Sequence, residues 1–176
     1  MKNRSLPLFL LAGLLSSVLC TLGPHLLPEG TFLLDMYPGV VLGTALYLTG
    51  YCCGLNAGRW RAAQLLVIVV ATVAGWRLSI NVGYEYGQPF PYIAAGALGA
   101  LTTALGLLWP WTIRRGALGF VLLATASGAL GGFVFQEIEK VFTHMTEDVW
   151  ALVLFFEWQT IFMLGTWLAC RRVAGK

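Results

Sequence analysis

The stretch Val149–Cys170, VWALVLFFEWQTIFMLGTWLAC, decides how this chain is read. A helix of about 20 apolar residues crosses the hydrocarbon core of a bilayer, and this run is long enough to do so. An acidic pair, Glu147 and Asp148, precedes it, and a basic pair, Arg171 and Arg172, follows it. Glu157 and Gln159 lie in its interior. An ionisable side chain at that depth is costly, so Glu157 is the first candidate for a functional group.

The whole chain repeats the pattern. Its 176 residues are 58% hydrophobic and 11% charged, where soluble domains run at about 45–50% and about 25%. A water-soluble chain of this length could not hide that much apolar surface. Its formal charge of +3 does not form the basic patch of a nucleic-acid binder, because the basic residues come in small groups at hydrophobic boundaries. No nucleic-acid partner is expected.

Working outward, five further apolar runs precede the first stretch. They are Leu6–Leu22, Phe32–Leu55, Ala62–Val82, Pro91–Trp109 and Gly116–Phe135. Turns rich in glycine, proline or charge separate them, and Gln136–Asp148 is expected to be the longest connection. Leu6–Leu22 is read as a retained span rather than a cleaved leader. No small-x-small site follows it, and Leu19 before Cys20 does not suit a lipoprotein cleavage site. Strand-like alternation is not seen, and helices satisfy their own backbone in lipid. The expected fold is an all-α membrane protein, one polytopic domain over residues 1–176, forming a six-helix transmembrane bundle.

Charge sets the expected orientation. Lys2, Arg4, Arg59, Arg61, Arg114, Arg115, Arg171, Arg172 and Lys176 fall on one side of this six-span arrangement. The acidic residues other than Glu157 fall at or near the other side. The positive-inside rule makes both termini cytoplasmic, in a plasma membrane, or the inner membrane of a bacterium. Trp60, Trp109, Trp111 and Trp167 are expected at the inner interface, and Tyr37, Tyr84, Tyr86, Tyr92 and Trp150 at the outer one.

Two constellations stand out. Arg77 lies roughly 8 Å and Glu157 roughly 12 Å below the outer ends of their spans at 1.5 Å per residue. Each would cost about 2.5–3.5 kcal/mol alone at mid-helix, so a pairing is expected to relieve both. Asn81 and Gln159 would complete that polar network. The second group, His25, His144, Glu137 and Asp148, gathers on the outer face as an acid or metal cluster. Its spacing matches no metal motif, so no metal or other cofactor is expected. Cys52, Cys53 and Cys170 share the inner side, a membrane thickness from Cys20, which argues against a disulfide between them. Small residues recur every fourth position at Gly96, Ala100, Ala104, at Ala124, Gly128, Gly132 and at Gly50, Gly54, Gly58. That spacing lets helix backbones approach closely.

Three functions fit. The leading expectation is a carrier, channel or substrate-binding membrane subunit for a small solute or ion, with its site at Glu157 and Arg77. The alternatives are an accessory protein associating with partner subunits or with itself, and a membrane enzyme acting on lipid headgroups at the outer leaflet. Membrane lipid is a partner in every case.

Overall fold

The computed structural model describes residues 5–28, 31–56, 60–86, 89–142 and 144–174. Lys2, Arg4, Glu29, Gly58, Arg59 and Lys176 lie outside the described residues. Six helices follow one another: α1 (Leu6–Leu26), α2 (Phe32–Cys52), α3 (Arg61–Leu78), α4 (Pro91–Leu107), α5 (Ala117–Val141) and α6 (Glu147–Ala174). A π-helical turn, Ser79–Tyr84, continues α3. There is no strand among the described residues.

Five of these helices are long and apolar enough to cross a membrane, α3 being counted through Val82. The exception is α4, with 17 residues, or about 26 Å at 1.5 Å per residue. The expected span to Trp109 therefore closes early. Pro110 has no N–H to continue the ladder. Trp111 N–H donates to the Leu107 carbonyl at 3.0 Å, and Thr112 turns the chain at φ 51°.

Other boundaries also move. The first helix runs to Leu26 through Pro24, because a proline late in a helix sacrifices one backbone bond without stopping the turn it begins. The second ends at Cys52 rather than Leu55. Gly54 takes φ +70°, and Leu55 N–H reaches back to the Gly50 carbonyl at 2.8 Å, the bond pattern of a Schellman stop. The largest change is at α5, which continues six residues beyond Phe135 to Val141. The segment Gln136–Val141 is rich in helix formers, and Lys140 Nζ donates to Glu137 Oε1 at 2.6 Å one turn away. The expected long connection shrinks accordingly.

The helices form a closed antiparallel ring in chain order, with α6 returning against α1. Each neighbour relation can be read from a contact. Gly39 and Gly43 of α2 lie against Val73, Val69 and Thr72 of α3, and Gly75 of α3 against Gly99 of α4. Gly96 and Ala100 of α4 meet Gly128 of α5, and Ser127 of α5 meets Gly165 of α6. Thr72 Oγ lies 2.7 Å from the Gly39 carbonyl at the α2–α3 crossing. With lipid outside there is little hydrophobic drive between helices, so close approach and dispersion hold the ring. The core is filled by Phe9, Leu46, Ile68, Leu107, Phe120 and Phe162.

Two of the expected interface tryptophans belong to that core. Trp111 and Trp167 are 3% and 7% exposed; Trp111 packs edge-on against Phe9 and Phe120. Trp60 and Trp109 stay exposed. A tryptophan at a helix end can turn inward as readily as outward, and composition does not distinguish the two.

Candidate functional site

The ring separates the residues expected to form an intramembrane pair. Arg77 Nη1 donates to Asp35 Oδ2 at 3.0 Å, and both side chains are well exposed. Antiparallel packing of α2 on α3 brings the first turn of one helix beside the last turn of the other, so Asp35 is the carboxylate within reach. Glu157 belongs to α6, which meets α3 through Trp76 and Phe155 but is not its neighbour in the ring. Its two carboxyl oxygens are inaccessible and have no hydrogen-bond partner among the described residues. Asn81 Nδ2 donates to the Arg77 carbonyl at 2.9 Å, a bond within its own helix end.

Gln159 joins a different network. At 3.6 residues per turn it lies about 200° around α6 from Glu157. Gln159 faces α1, where Ser16 Oγ donates to its Oε1 and its Nε2 donates to Cys20 Sγ at 3.3 Å. This buried clasp ties α6 to α1. Glu157 shares its side of the helix with Leu164 and Leu168, 37% and 41% exposed. The four-residue site expected from the sequence is not assembled.

Exposed ion pairs are worth about 0.2–1 kcal/mol. A double-mutant cycle of Arg77→Gln with Asp35→Asn should therefore show coupling within that range in thermal stability. The cycle of Arg77→Gln with Glu157→Gln should be additive. Coupling in the second cycle and none in the first would contradict the placement of Arg77.

The histidine cluster expected on the outer face also divides. His25 Nε2 lies 3.2 Å from Asp148 Oδ1 in an exposed pair. Glu137 is taken by Lys140, and His144 is exposed in the turn between α5 and α6. No group of three His, Cys, Asp or Glu residues able to hold a metal occurs among the described residues. The cysteines are free, with Cys20 and Cys170 buried.

What the ring does build, at the end carrying the acidic residues, is a cavity of about 490 Å³ between α3, α4, α5 and α6. Six aromatic residues wall it: Trp76, Tyr84, Tyr92, Trp150, Phe155 and Trp158. On one side the rings run in sequence, Tyr84 to Tyr92 at 5.4 Å, Tyr92 to Phe135 at 4.9 Å and Phe135 to Trp150 at 5.2 Å. On another, Trp76 packs on Phe155 at 5.5 Å. Trp158, stacked on Phe162 with planes 6° apart, closes the wall along Gly96 and Gly131.

Local structure explains why this space exists. The π-helical turn widens the end of α3, a distortion often found at functional sites. Ser79 Oγ lies 2.8 Å from both the Gly75 and the Ala95 carbonyls, linking the widened turn to α4. Small residues bring α4 and α5 together at Gly96, Gly128 and Gly132, and large rings stand beside that contact. Ile80 and Tyr84, 42% and 46% exposed, lie at the accessible side of the cavity.

One carboxylate braces the wall. Tyr92 Oη donates to Glu139 Oε1 at 2.8 Å, and Trp150 Nε1 donates to the same oxygen at 3.0 Å. Glu139 was not among the residues singled out from the sequence. The helix-forming character of Gln136–Val141 was the available signal: extending α5 through it carries Glu139 up beside the start of α4 and of α6. Tyr84, Tyr92 and Trp150 were visible as interface aromatics, but their convergence was not.

No family model matches the chain, and no curated protein or solved structure matches it.

Proposed function

We propose that the protein binds a small solute in the aromatic cavity between α3, α4, α5 and α6, the step shared by a carrier and a substrate-binding membrane subunit. In this reading all six helices cross the plasma membrane, the inner membrane in a bacterium. Both termini and the arginine-bearing turns are cytoplasmic, and the cavity faces the outer half. The position of α4 between α3 and α5 in one ring supports counting it as a span. The clustering of Arg114 and Arg115 with Arg171 and Arg172 at the ends of the helices opposite the acidic residues supports the orientation.

The single observation that carries the reading is an aromatic-walled space of about 490 Å³ beside the close α4–α5 contact. Ile80 and Tyr84 leave this space accessible from one side, so a ligand can reach its walls. Its size and lining also match those of small-molecule sites, which are concave and mostly apolar with a few placed polar groups. The Arg77–Glu157 pair is not retained as the site.

Photolabelling tests this. A small neutral aromatic diazirine, 4-[3-(trifluoromethyl)diazirin-3-yl]benzyl alcohol, is photolysed with the full chain in lipid nanodiscs and the labelled peptides are mapped. Label should concentrate on residues 76–95 and 150–158. Ile80→Trp, which fills the accessible side, should reduce that labelling about tenfold while leaving the melting temperature within a few degrees. Labelling spread evenly over the lipid-facing leucines, or unaffected by Ile80→Trp, would exclude the cavity as a binding site.

A further inference from the structure

Among the described residues, the lining of the cavity contains no lysine, arginine or carboxylate. Six aromatic rings wall it, and the quadrupole of an aromatic ring presents negative potential from its face. At the polar edges of two of those rings stands Glu139, held by Tyr92 Oη and Trp150 Nε1. Both donors are neutral, so they fix the carboxylate without cancelling its charge. The three ion pairs among the described residues are His25–Asp148, Arg77–Asp35 and Lys140–Glu137. Glu139 therefore has no cation within 4.0 Å among the described residues, although its sequence neighbour Lys140 carries one.

An uncompensated carboxylate at the edges of aromatic walls is an electrostatic arrangement that selects a ligand. Cations are attracted to aromatic faces by up to about 2 kcal/mol when both are stripped of water. A metal ion would need several oxygen or nitrogen ligands, and the lining supplies hydroxyls but no such set. A bulky ammonium, weakly hydrated and carrying its own apolar groups, needs only ring faces and one nearby negative charge. From this juxtaposition we infer that the cavity is selective for organic cations, an ammonium group attached to an apolar or aromatic body, with Glu139 as the charge that sets the preference. The inference rests on the cavity being the ligand site and names the class of ligand it takes.

Glu139 acts here through Tyr92 and Trp150 as well as through its field, so the informative change removes charge and keeps the acceptor. Glu139→Gln does this, since its amide oxygen can accept from both donors. The probes are benzyltrimethylammonium and its neutral isostere neopentylbenzene, each used to protect the cavity from the diazirine label in the full chain in nanodiscs. In the unaltered protein the cation should protect at a concentration about tenfold lower than the neutral isostere, after correction for partitioning into lipid. In Glu139→Gln that preference should disappear while neutral protection changes less than about twofold. Glu139→Asp, which keeps the charge, should retain part of the preference and serves if the glutamine variant does not fold. Equal protection by both probes in the unaltered protein would overturn the cation inference while leaving the cavity as a site. So would a preference that survives Glu139→Gln. Failure of the diazirine to label the cavity at all would remove both readings.

Discussion

Gly132→Val is expected to leave little folded protein. A Cβ at Gly132 would collide with the Tyr92 carbonyl oxygen, would lie 2.5 Å from its carbon, and would come within 2.9 Å of Ile93 N. All three are backbone atoms of the first turn of α4, so no side chain can rotate away. The helices must separate, and the neighbouring contacts of Gly128 with Gly96 and Ala100 would open with them. Overpacking a tight core usually costs about 1–3 kcal/mol; with a branched side chain meeting backbone, the loss should exceed about 3 kcal/mol. Gly119→Val on the same helix is the control, because nothing lies within 4 Å of the position its Cβ would take. Thermal melting and monodisperse yield in detergent should show a severe loss for the first and near-normal behaviour for the second. If Gly132→Val melts like the parent protein, the α4–α5 approach is wrong, and the wall of the cavity formed by Tyr92 is wrong with it.

The second large effect is expected at Trp158. Its ring stacks on Phe162 with centroids 5.6 Å apart and covers the Cα positions of Gly96 and Gly131. Removing a packed tryptophan to alanine costs about 3–5 kcal/mol in protein cores. Part of Trp158 faces the cavity, so a loss near the lower end, about 3 kcal/mol, is expected for Trp158→Ala. The indole Nε1 has no hydrogen-bond partner among the described residues, which makes the ring's shape rather than its donor the important property. Trp158→Phe should accordingly cost no more than about 1.5 kcal/mol, the usual limit for hydrophobic swaps that roughly conserve shape. Equal losses for alanine and phenylalanine, measured by thermal unfolding, would show that the N–H carries the contribution.

Both predictions concern residues on or beside the cavity, and neither could be argued from the order of residues. The helical character of the chain, with runs long and apolar enough to cross a membrane, could. Long apolar runs broken by glycine, proline and charge leave lipid as the only reasonable surroundings, and in lipid the backbone must bond within each segment. The periodic small residues at Gly96, Ala100, Gly128 and Gly132 were legible as close-contact faces for the same reason. Gly54 was read as one of a packing series and proved instead to be a left-handed turn residue. Spacing alone does not reveal backbone angle.

The polar pairings were the least legible. Arg77 and Glu157 share a depth, and depth is all that a one-dimensional reading supplies. Whether two helices at one depth touch depends on their places around the ring, and whether a side chain faces in or out depends on its angle around its own helix. Two positions separate Glu157 from Gln159, and the helical turn puts Glu157, its carboxyl oxygens inaccessible, on the side of Leu164 and Leu168 and sends Gln159 into the clasp with Ser16 and Cys20.

By itself, then, the sequence determined an apolar helical chain whose charges gather at the helix ends, because hydropathy and charge act locally and need no partner. Only the tertiary structure decided which groups meet. Closing the helices into a ring gave Arg77 to Asp35, left Glu157 without a partner among the described residues, and drew Tyr92, Trp150 and Glu139 together from three helices. Those meetings follow from rotation and close packing between helices, which no single segment encodes.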